Sequence, residues 1–220
     1  MDIYDAYKLQ TPASIILAGP SGSGKTTLIE QILSRLNEVF DRTPTQVIVC
    51  YARDQNLYNQ MKKASSVPIE FIKGIPNNLK PKARTLIIFD DLQDEFGQII
   101  TSYFIKHSHH SDCDIILICQ NLFAKSPHLR TCSLNSGAII KMKDPRDSSQ
   151  INFLARQICP FNPSFLISAY KQATQKPHSY IYINLKQQTD DLYRYRDSIF
   201  PKEANYYVDK KLYSALELNS

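Results

Sequence analysis

The eight residues Gly19-Pro20-Ser21-Gly22-Ser23-Gly24-Lys25-Thr26 are the strongest indication of fold in this 220-residue chain. It satisfies the pattern G-x-x-x-x-G-K-[ST], in which glycines let backbone N–H groups curl around phosphate oxygens. The apolar run Ser14-Ile15-Ile16-Leu17-Ala18 precedes it and predicts a buried strand. From Lys25 onward, apolar residues recur at helical spacing. Because strand, loop and helix follow in the order that this motif requires, the sequence predicts a nucleotide site here.

Each position of this loop has an expected role. The residues that form the phosphate cradle are Gly19, Pro20, Ser21, Gly22, Ser23 and Gly24. We expect Lys25 to reach the β- and γ-phosphates, the Thr26 hydroxyl to ligate Mg²⁺, and Thr27 to contact the α-phosphate. The dipole of the following helix adds to the attraction for anions. The alternative is a glycine-rich turn without a ligand, and the strand and helix on either side disfavour it.

Two adjacent carboxylates follow the apolar run Thr85-Leu86-Ile87-Ile88-Phe89. A hydrophobic strand that ends in an acid beside a phosphate loop is the Walker B arrangement. We expect Asp90 to hold Mg²⁺, directly or through water, and Asp91 to orient and deprotonate the attacking water. The alternative is a helix cap, with Asp91 or Asp94 at the start of the next helix.

A polar residue, Gln120, ends the buried run Asp114-Ile115-Ile116-Leu117-Ile118-Cys119. In nucleotide-hydrolysing proteins with an extra strand between the two motifs, a polar residue at this place senses the γ-phosphate. The alternative is an ordinary polar strand end. Small GTPases and ABC transporters fit less well, because the chain contains neither N-K-x-D nor L-S-G-G-Q.

Strands alternate with helices along the chain, which predicts an α/β fold with a mainly parallel sheet covered on both faces. We predict one domain over residues 1–200 and a polar tail over residues 201–220. The run Pro68-Ile69-Glu70-Phe71-Ile72 predicts an edge strand, because proline opens it.

Composition excludes several classes of protein. Apolar residues make up 43% of the chain and charged residues 21%, so we expect a folded globular protein rather than a disordered one. The apolar runs are too short to span a bilayer, and the acidic start lacks the apolar segment of a secretory signal. The net charge of +5 permits a nucleic-acid partner without requiring one.

Five cysteines at irregular spacing predict reduced thiols in the cytoplasm or nucleus. Their number is odd, and no pair forms a C-x-x-C motif. Zinc is the alternative, since four potential ligands lie close together, although their spacing matches no standard finger. These are His107, His109, His110 and Cys113.

Five further motifs accompany the phosphate loop. They are Ile88-Phe89-Asp90-Asp91-Leu92, His109-His110, Cys119-Gln120-Asn121-Leu122-Phe123, Arg130-Thr131-Cys132-Ser133-Leu134-Asn135-Ser136 and Lys143-Asp144-Pro145-Arg146-Asp147. Together with the loop they resemble the DNA-packaging ATPases of the poxvirus A32-like group in the FtsK/HerA superfamily, closest to those of Polinton and adintovirus-like elements. The resemblance covers roughly residues 14–200, and it implies a RecA-like P-loop NTPase fold with an additional central strand.

The resemblance also implies a function. Members of this group hydrolyse ATP with Mg²⁺ and drive double-stranded viral DNA into a capsid, as a homo-oligomeric ring at a capsid vertex or portal. An arginine acts across the subunit boundary, and Arg130 is our first choice for it, then Arg146, then Arg156. The alternative for each arginine is a surface ion pair. His109 and His110 also match the group, without an assigned mechanism.

Two other functions use the same motifs. One is a DNA helicase or a conjugation-type DNA pump, and the other is a nucleotide-gated assembly factor with little turnover. A translocating motor grips phosphates rather than base edges, so basic side chains on loops are sufficient for DNA contact. The best candidates are Lys80, Lys82 and Arg84. We expect the protein inside the host cell, without a membrane partner and transiently at the virion vertex.

Overall fold

The computed structural model describes residues 3–52, 58–76, 79, 81–92, 97–107 and 112–210. The strands are β1 Ser14–Ala18, β2 Gln46–Tyr51, β3 Ile69–Lys73, β4 Thr85–Asp90, β5 Asp114–Cys119, β6 Ala138–Met142, β7 Tyr180–Asn184, β8 Tyr195–Arg196 and β9 Tyr206–Tyr207. The helices are α1 Lys25–Ser34, α2 Leu36–Val39, α3 Tyr58–Ala64, α4 Gln98–Ser102, α5 Pro127–Leu134, α6 Ser149–Ile158 and α7 Pro163–Ala173. A π-helical turn, Tyr103–His107, continues α4. Within these residues no helix is both long and apolar enough to cross a bilayer.

The described strands form one sheet in the order β3-β2-β4-β5-β1-β6-β7-β8-β9. The first six are parallel, and the last three pair antiparallel, so the mainly parallel sheet is confirmed. β5 lies between β1 and β4, as the extra-strand arrangement requires. Strand β3 lies at the edge of the sheet, as predicted from the proline before it.

The register brings the ends of three strands to one edge of the sheet. Ala18 of β1 is opposite Cys119 of β5, and Asp90 of β4 is opposite Ile118. The residues that follow these positions therefore leave the sheet side by side. They are the phosphate loop, Asp91 and Gln120, and ligands of open parallel sheets bind at this carboxyl edge.

Helices cover both faces of the sheet. Every residue of β1, β4 and β5 after Ser14 is therefore buried. Ile15 and Leu17 pack on one face with the apolar side of α1, while Ile16 and Ala18 face a second cluster with α6 and α7. Burial on both faces explains why these strands appear in the sequence as continuous apolar runs rather than as alternating patterns.

The folded region extends beyond the predicted boundary at residue 200. Tyr206 and Tyr207 of β9 pair with β8 and add a ninth strand to the sheet. Pro201 is buried, and Arg35 forms an ion pair with Glu203 at 2.8 Å. Tyr206 and Tyr207, near the start of the predicted tail, therefore belong to the sheet through pairing with Tyr195 and Arg196.

A buried carboxyl group at the opposite edge of the sheet predicts pH-dependent stability. Asp114, 2% exposed, accepts a hydrogen bond from the Ala13 N–H at 2.8 Å. Burial raises its pKa to about 7, whereas an aspartate in an unfolded chain titrates near ~3.9. The folded state therefore binds more protons between these values. The free energy of unfolding should fall as pH rises from about 4 to about 7, and then level off.

Asp114→Asn should make this decline shallower, because the neutral amide keeps the acceptor oxygen without the charge. Urea unfolding of both proteins at several pH values between 4 and 8 measures the effect. Glu70→Gln is the matched control, since Glu70 lies exposed on the edge strand β3. Equal pH profiles for Asp114→Asn and the parent protein would show that burial of this carboxyl does not govern the decline.

Candidate nucleotide site

The phosphate loop, residues 19–26, joins β1 to α1 and requires glycine at two positions, for two different reasons. Gly24, the N-cap of α1, has φ 96°, a left-handed conformation that side chains other than glycine rarely adopt. A Cβ added to Gly19 would lie 2.5 Å from Cβ of Met142 in β6. Close packing against β6 therefore explains the first glycine of the motif, and backbone conformation explains the last.

Lys25 folds back over the loop that precedes it. Its Nζ donates hydrogen bonds to the carbonyl oxygens of Gly19, at 2.7 Å, and Pro20, at 2.9 Å. Burial lowers the pKa of the ammonium group, and the carboxylates of Asp90 and Asp91 oppose that shift. The positive charge is thus held where an anion enclosed by the loop would meet it.

Asp90 ends β4 as a buried acid, 4% exposed. The hydroxyl of Tyr58, at the start of α3, donates a hydrogen bond to its Oδ2 at 3.0 Å. Burial raises the pKa of Asp90, whereas the Tyr58 hydrogen bond and the charge of Lys25 lower it. Sequence reasoning missed Tyr58, which is 32 residues away and carries no motif.

Asp91 and Gln120 meet across the ends of β4 and β5. Gln120 Nε2 donates a hydrogen bond to Asp91 Oδ1 at 3.1 Å. Asp91 has φ 52°, which is uncommon for a residue other than glycine. The N-cap of α4 is Gly97, so Asp91 does not cap that helix, and Asp94 lies outside the described residues.

These groups surround one cavity of about 500 Å³. Its lining residues are Ser21, Gly22, Gly24, Lys25, Thr26, Thr27, Asp90, Asp91, Gln120 and His178. Nine of these ten carry a predicted site role, although they come from three separate parts of the sequence. The remaining members of the predicted loop, Gly19, Pro20 and Ser23, form its frame, and Ser23 is buried.

His178 is the lining residue that sequence reasoning missed. It lies between α7 and β7 with φ 58°, and its side chain packs beside Gly24. The neighbouring Ser179 accepts a hydrogen bond from the Lys143 N–H at 2.8 Å, which ties this loop to the end of β6. A single histidine more than 150 positions from the phosphate loop forms no recognisable motif with it. Its place in the cavity is therefore visible only in the three-dimensional structure.

Arg130 lies apart from this cavity. It is exposed on α5, and its side chain forms no hydrogen bond or ion pair with the part of the chain that the structure describes. It lines a second cavity, of about 800 Å³, together with Phe123, Leu134 and Phe153. Leu134 and Phe153 are more than half exposed. An arginine in this position does not line its own nucleotide cavity.

The other predicted residues occupy different places. Arg146 and Arg156 are exposed. Asp144, of the motif that contains Arg146, is buried and forms an ion pair with Lys141 at 3.2 Å. It also accepts hydrogen bonds from the backbone N–H groups of Arg146 and Asp147. This motif therefore shapes the turn after β6.

The predicted DNA contacts and the zinc alternative fall largely outside the described residues, which omit Lys80, His109, His110 and the His107 side chain. Lys82 and Arg84 precede β4, at the edge of the sheet opposite the phosphate loop. The five cysteines are free thiols. Cys113 is buried, and its thiol donates a hydrogen bond to the Lys82 carbonyl oxygen.

The fold and site together define the class of protein. A phosphate loop between β1 and α1, an acid at the end of β4, and β5 inserted between these strands are the features of a P-loop NTPase with an additional central strand. The predicted fold class is therefore confirmed.

Comparison with solved structures supports this class. The chain is similar to the genome packaging NTPase B204 from Sulfolobus turreted icosahedral virus 2, solved with ATPγS, with a TM-score of 0.51 and 14% identity. The match covers 86% of this chain and 96% of B204. At this identity the likeness is one of fold alone.

The chain is also similar to the ATPase DotB of Legionella pneumophila, with a TM-score of 0.39 and 12% identity over 94% of this chain and 61% of DotB. No family model matches the chain, and no curated protein matches its sequence.

Proposed function

We propose that this protein is a Mg²⁺-dependent ATPase that translocates double-stranded DNA into a viral capsid. The observation that carries the proposal is the cavity in which the phosphate loop, Lys25, Asp90, Asp91 and Gln120 meet. The fold likeness to a genome packaging NTPase supports the proposal of packaging over the alternative functions, a helicase, a DNA pump or an assembly factor.

The cavity suits ATP with a magnesium ion. Backbone N–H groups of the loop and the N-terminus of α1 present partial positive charge to phosphates, and Lys25 adds a full one. Thr26 and Asp90 line the same cavity and supply the oxygen ligands that Mg²⁺ prefers. Bound there, Mg²⁺ would neutralise charge on the phosphates. Tyr58 holds the Asp90 carboxyl in place for that role.

Asp91 is the proposed general base for the attacking water. Its Oδ1 accepts the amide hydrogen bond of Gln120, and its side chain lines the cavity. A carboxylate within reach of a water molecule can orient it and take its proton. The Gln120 amide has two N–H donors, so one can contact a γ-phosphate while the other stays on Asp91. Gln120 would thereby hold the base in a fixed position relative to the γ-phosphate.

We propose that Arg130 acts on the ATP bound to a second copy of the chain. The cavity beside Arg130 is rimmed by the exposed side chains of Leu134 and Phe153, and the Phe153 ring lies 5.8 Å from that of Phe123. Covering such apolar groups favours association. A ring built through this surface would bring Arg130 to the neighbouring subunit's ATP.

The proposed function predicts ATP hydrolysis that rises when double-stranded DNA of any sequence is added. DNA binding should weaken steeply with salt, because phosphate contacts release counterions. Replacing Lys80, Lys82 and Arg84 together by Ala should give a shallower slope of log affinity against log salt concentration. Filter binding over a salt series and steady-state ATPase assays measure both effects.

Different outcomes select different functions. Replacement of Lys62 and Lys63 of α3 provides a charge-loss control in another basic pair. An unchanged salt slope in the triple variant would remove its loop from the DNA path. A strong sequence preference would argue against packaging, and ATP binding with negligible turnover would favour the assembly factor. Strand separation in a helicase assay would favour the helicase.

A further inference from the structure

The nucleotide cavity has two sides that come from different parts of the sheet. Asp90, Asp91 and Gln120 come from the ends of β4 and β5, on one side of β1. His178 comes from the loop before β7 and reaches the cavity on the other side of β1, next to β6. In the proposed ATP site, the γ-phosphate lies beside Asp90, Asp91 and Gln120, because these side chains carry the proposed hydrolytic roles. The α-phosphate and the nucleoside then lie on the side of the cavity next to His178.

His178 is placed close to the N-terminus of α1. A Cβ added to Gly24 would lie 3.2 Å from the His178 Cβ and 3.4 Å from its Nδ1. Thr27, in the first turn of α1, lines the same cavity and is the expected contact of the α-phosphate. An imidazole in this position can donate an N–H hydrogen bond to an anion bound at the helix start.

The backbone holds this histidine in an unusual conformation. Its φ of 58° lies in the left-handed region, which histidine adopts more readily than most side chains but still at a cost. The Ser179 carbonyl oxygen accepts a hydrogen bond from the Lys143 N–H at the end of β6, and the Gln175 carbonyl oxygen accepts one from the Lys143 ammonium group at 2.9 Å. The loop is therefore anchored on both sides of the residue that reaches the cavity.

We infer that His178 is a nucleotide-binding residue that contacts the α-phosphate end of ATP, opposite the catalytic side. The inference rests on the proposed ATP site and adds a residue from the C-terminal part of the chain to it. Because ATP and ADP share the α-phosphate, His178 contributes equally to binding of both nucleotides. It does not contact the γ-phosphate, so its loss weakens the binding of ATP and of ADP by the same factor.

The test compares His178→Gly and His178→Asn with the parent protein. Glycine and asparagine both tolerate a positive φ, so neither variant strains the loop. Titration calorimetry with ADP and with ATPγS should show both nucleotides binding roughly tenfold more weakly to His178→Gly, about the effect of one hydrogen bond to a charged group. His128→Asn is the matched control, because His128 lies on α5 beside Thr101 and outside the cavity.

Each outcome supports or overturns the inference. A loss confined to ATPγS would assign His178 to the γ-phosphate, and unchanged affinity for both nucleotides would remove it from the site. A lower unfolding temperature without nucleotide, together with unchanged affinity, would make it purely structural. Lys25→Ala separates the two proposals. If the parent protein binds nucleotide no better than Lys25→Ala, the ATP site itself fails, whereas parental binding by His178→Gly alone overturns only the role of His178.

Discussion

Asp91→Asn is expected to lower kcat for ATP hydrolysis by about 10²- to 10⁴-fold, the usual range for loss of a general base. Asparagine has nearly the shape of aspartate and keeps the oxygen that accepts the Gln120 hydrogen bond, so the ends of β4 and β5 should stay in place. The amide cannot take a proton from water. ATP binding should therefore remain close to that of the parent protein, which calorimetry with ATPγS would measure beside steady-state kinetics.

Lys25→Ala is measured beside Asp91→Asn. It should also abolish hydrolysis, but by removing a contact with the phosphates rather than the general base. Lys25 bonds only to carbonyl oxygens of its own loop among the described hydrogen bonds, so the fold should survive its loss. Unfolding curves and circular dichroism check that point. If Asp91→Asn turns over ATP at the parent rate, the base is another residue.

Arg130→Ala is expected to lower hydrolysis by about 10³- to 10⁵-fold in the assembled protein, the range for an arginine that stabilises phosphoryl transfer. The effect should act between subunits, because Arg130 is exposed on α5 and does not line its own nucleotide cavity. Mixing Arg130→Ala with Asp91→Asn should restore part of the activity. Some interfaces then combine an intact Arg130 from one subunit with an intact Asp91 from its neighbour.

Two exposed arginines are the alternatives to test beside Arg130. Arg146→Ala and Arg156→Ala remove the same charge on the turn after β6 and on α6. Hydrolysis at the parent rate by Arg130→Ala alone would dismiss its role and turn the search to Arg146. A mixture that co-assembles, as measured by light scattering, but stays inactive would contradict action across the interface.

Local sequence alone was enough to predict the phosphate loop and the class of fold. The loop pattern works over eight consecutive residues, and the glycines, lysine and threonine act through neighbouring backbone and the start of one helix. Continuous apolar runs before the loop, before Asp90 and before Gln120 are sufficient to predict buried parallel strands. The loop and the buried strands depend on residues close together in the chain, so residue type and spacing are sufficient to predict them.

Contacts between distant segments could be found only in the tertiary structure. Tyr58 reaches Asp90 because β2 and β4 are neighbours in the sheet, and His178 reaches the phosphate loop because β6 lies beside β1. Neither residue belongs to a motif. The addition of β9 to the sheet likewise depends on a partner strand rather than on the apolar content of Tyr206–Tyr207.

The glycine-rich loop, the acidic strand end and the polar strand end could each be predicted from a short run of consecutive residues. Which of them lie together depends on the tertiary structure. Strand order and register place Asp91 within hydrogen-bonding distance of Gln120, and they leave His178 on the other side of β1. Strand order follows from packing energy summed over the whole sheet, and no single segment carries that sum.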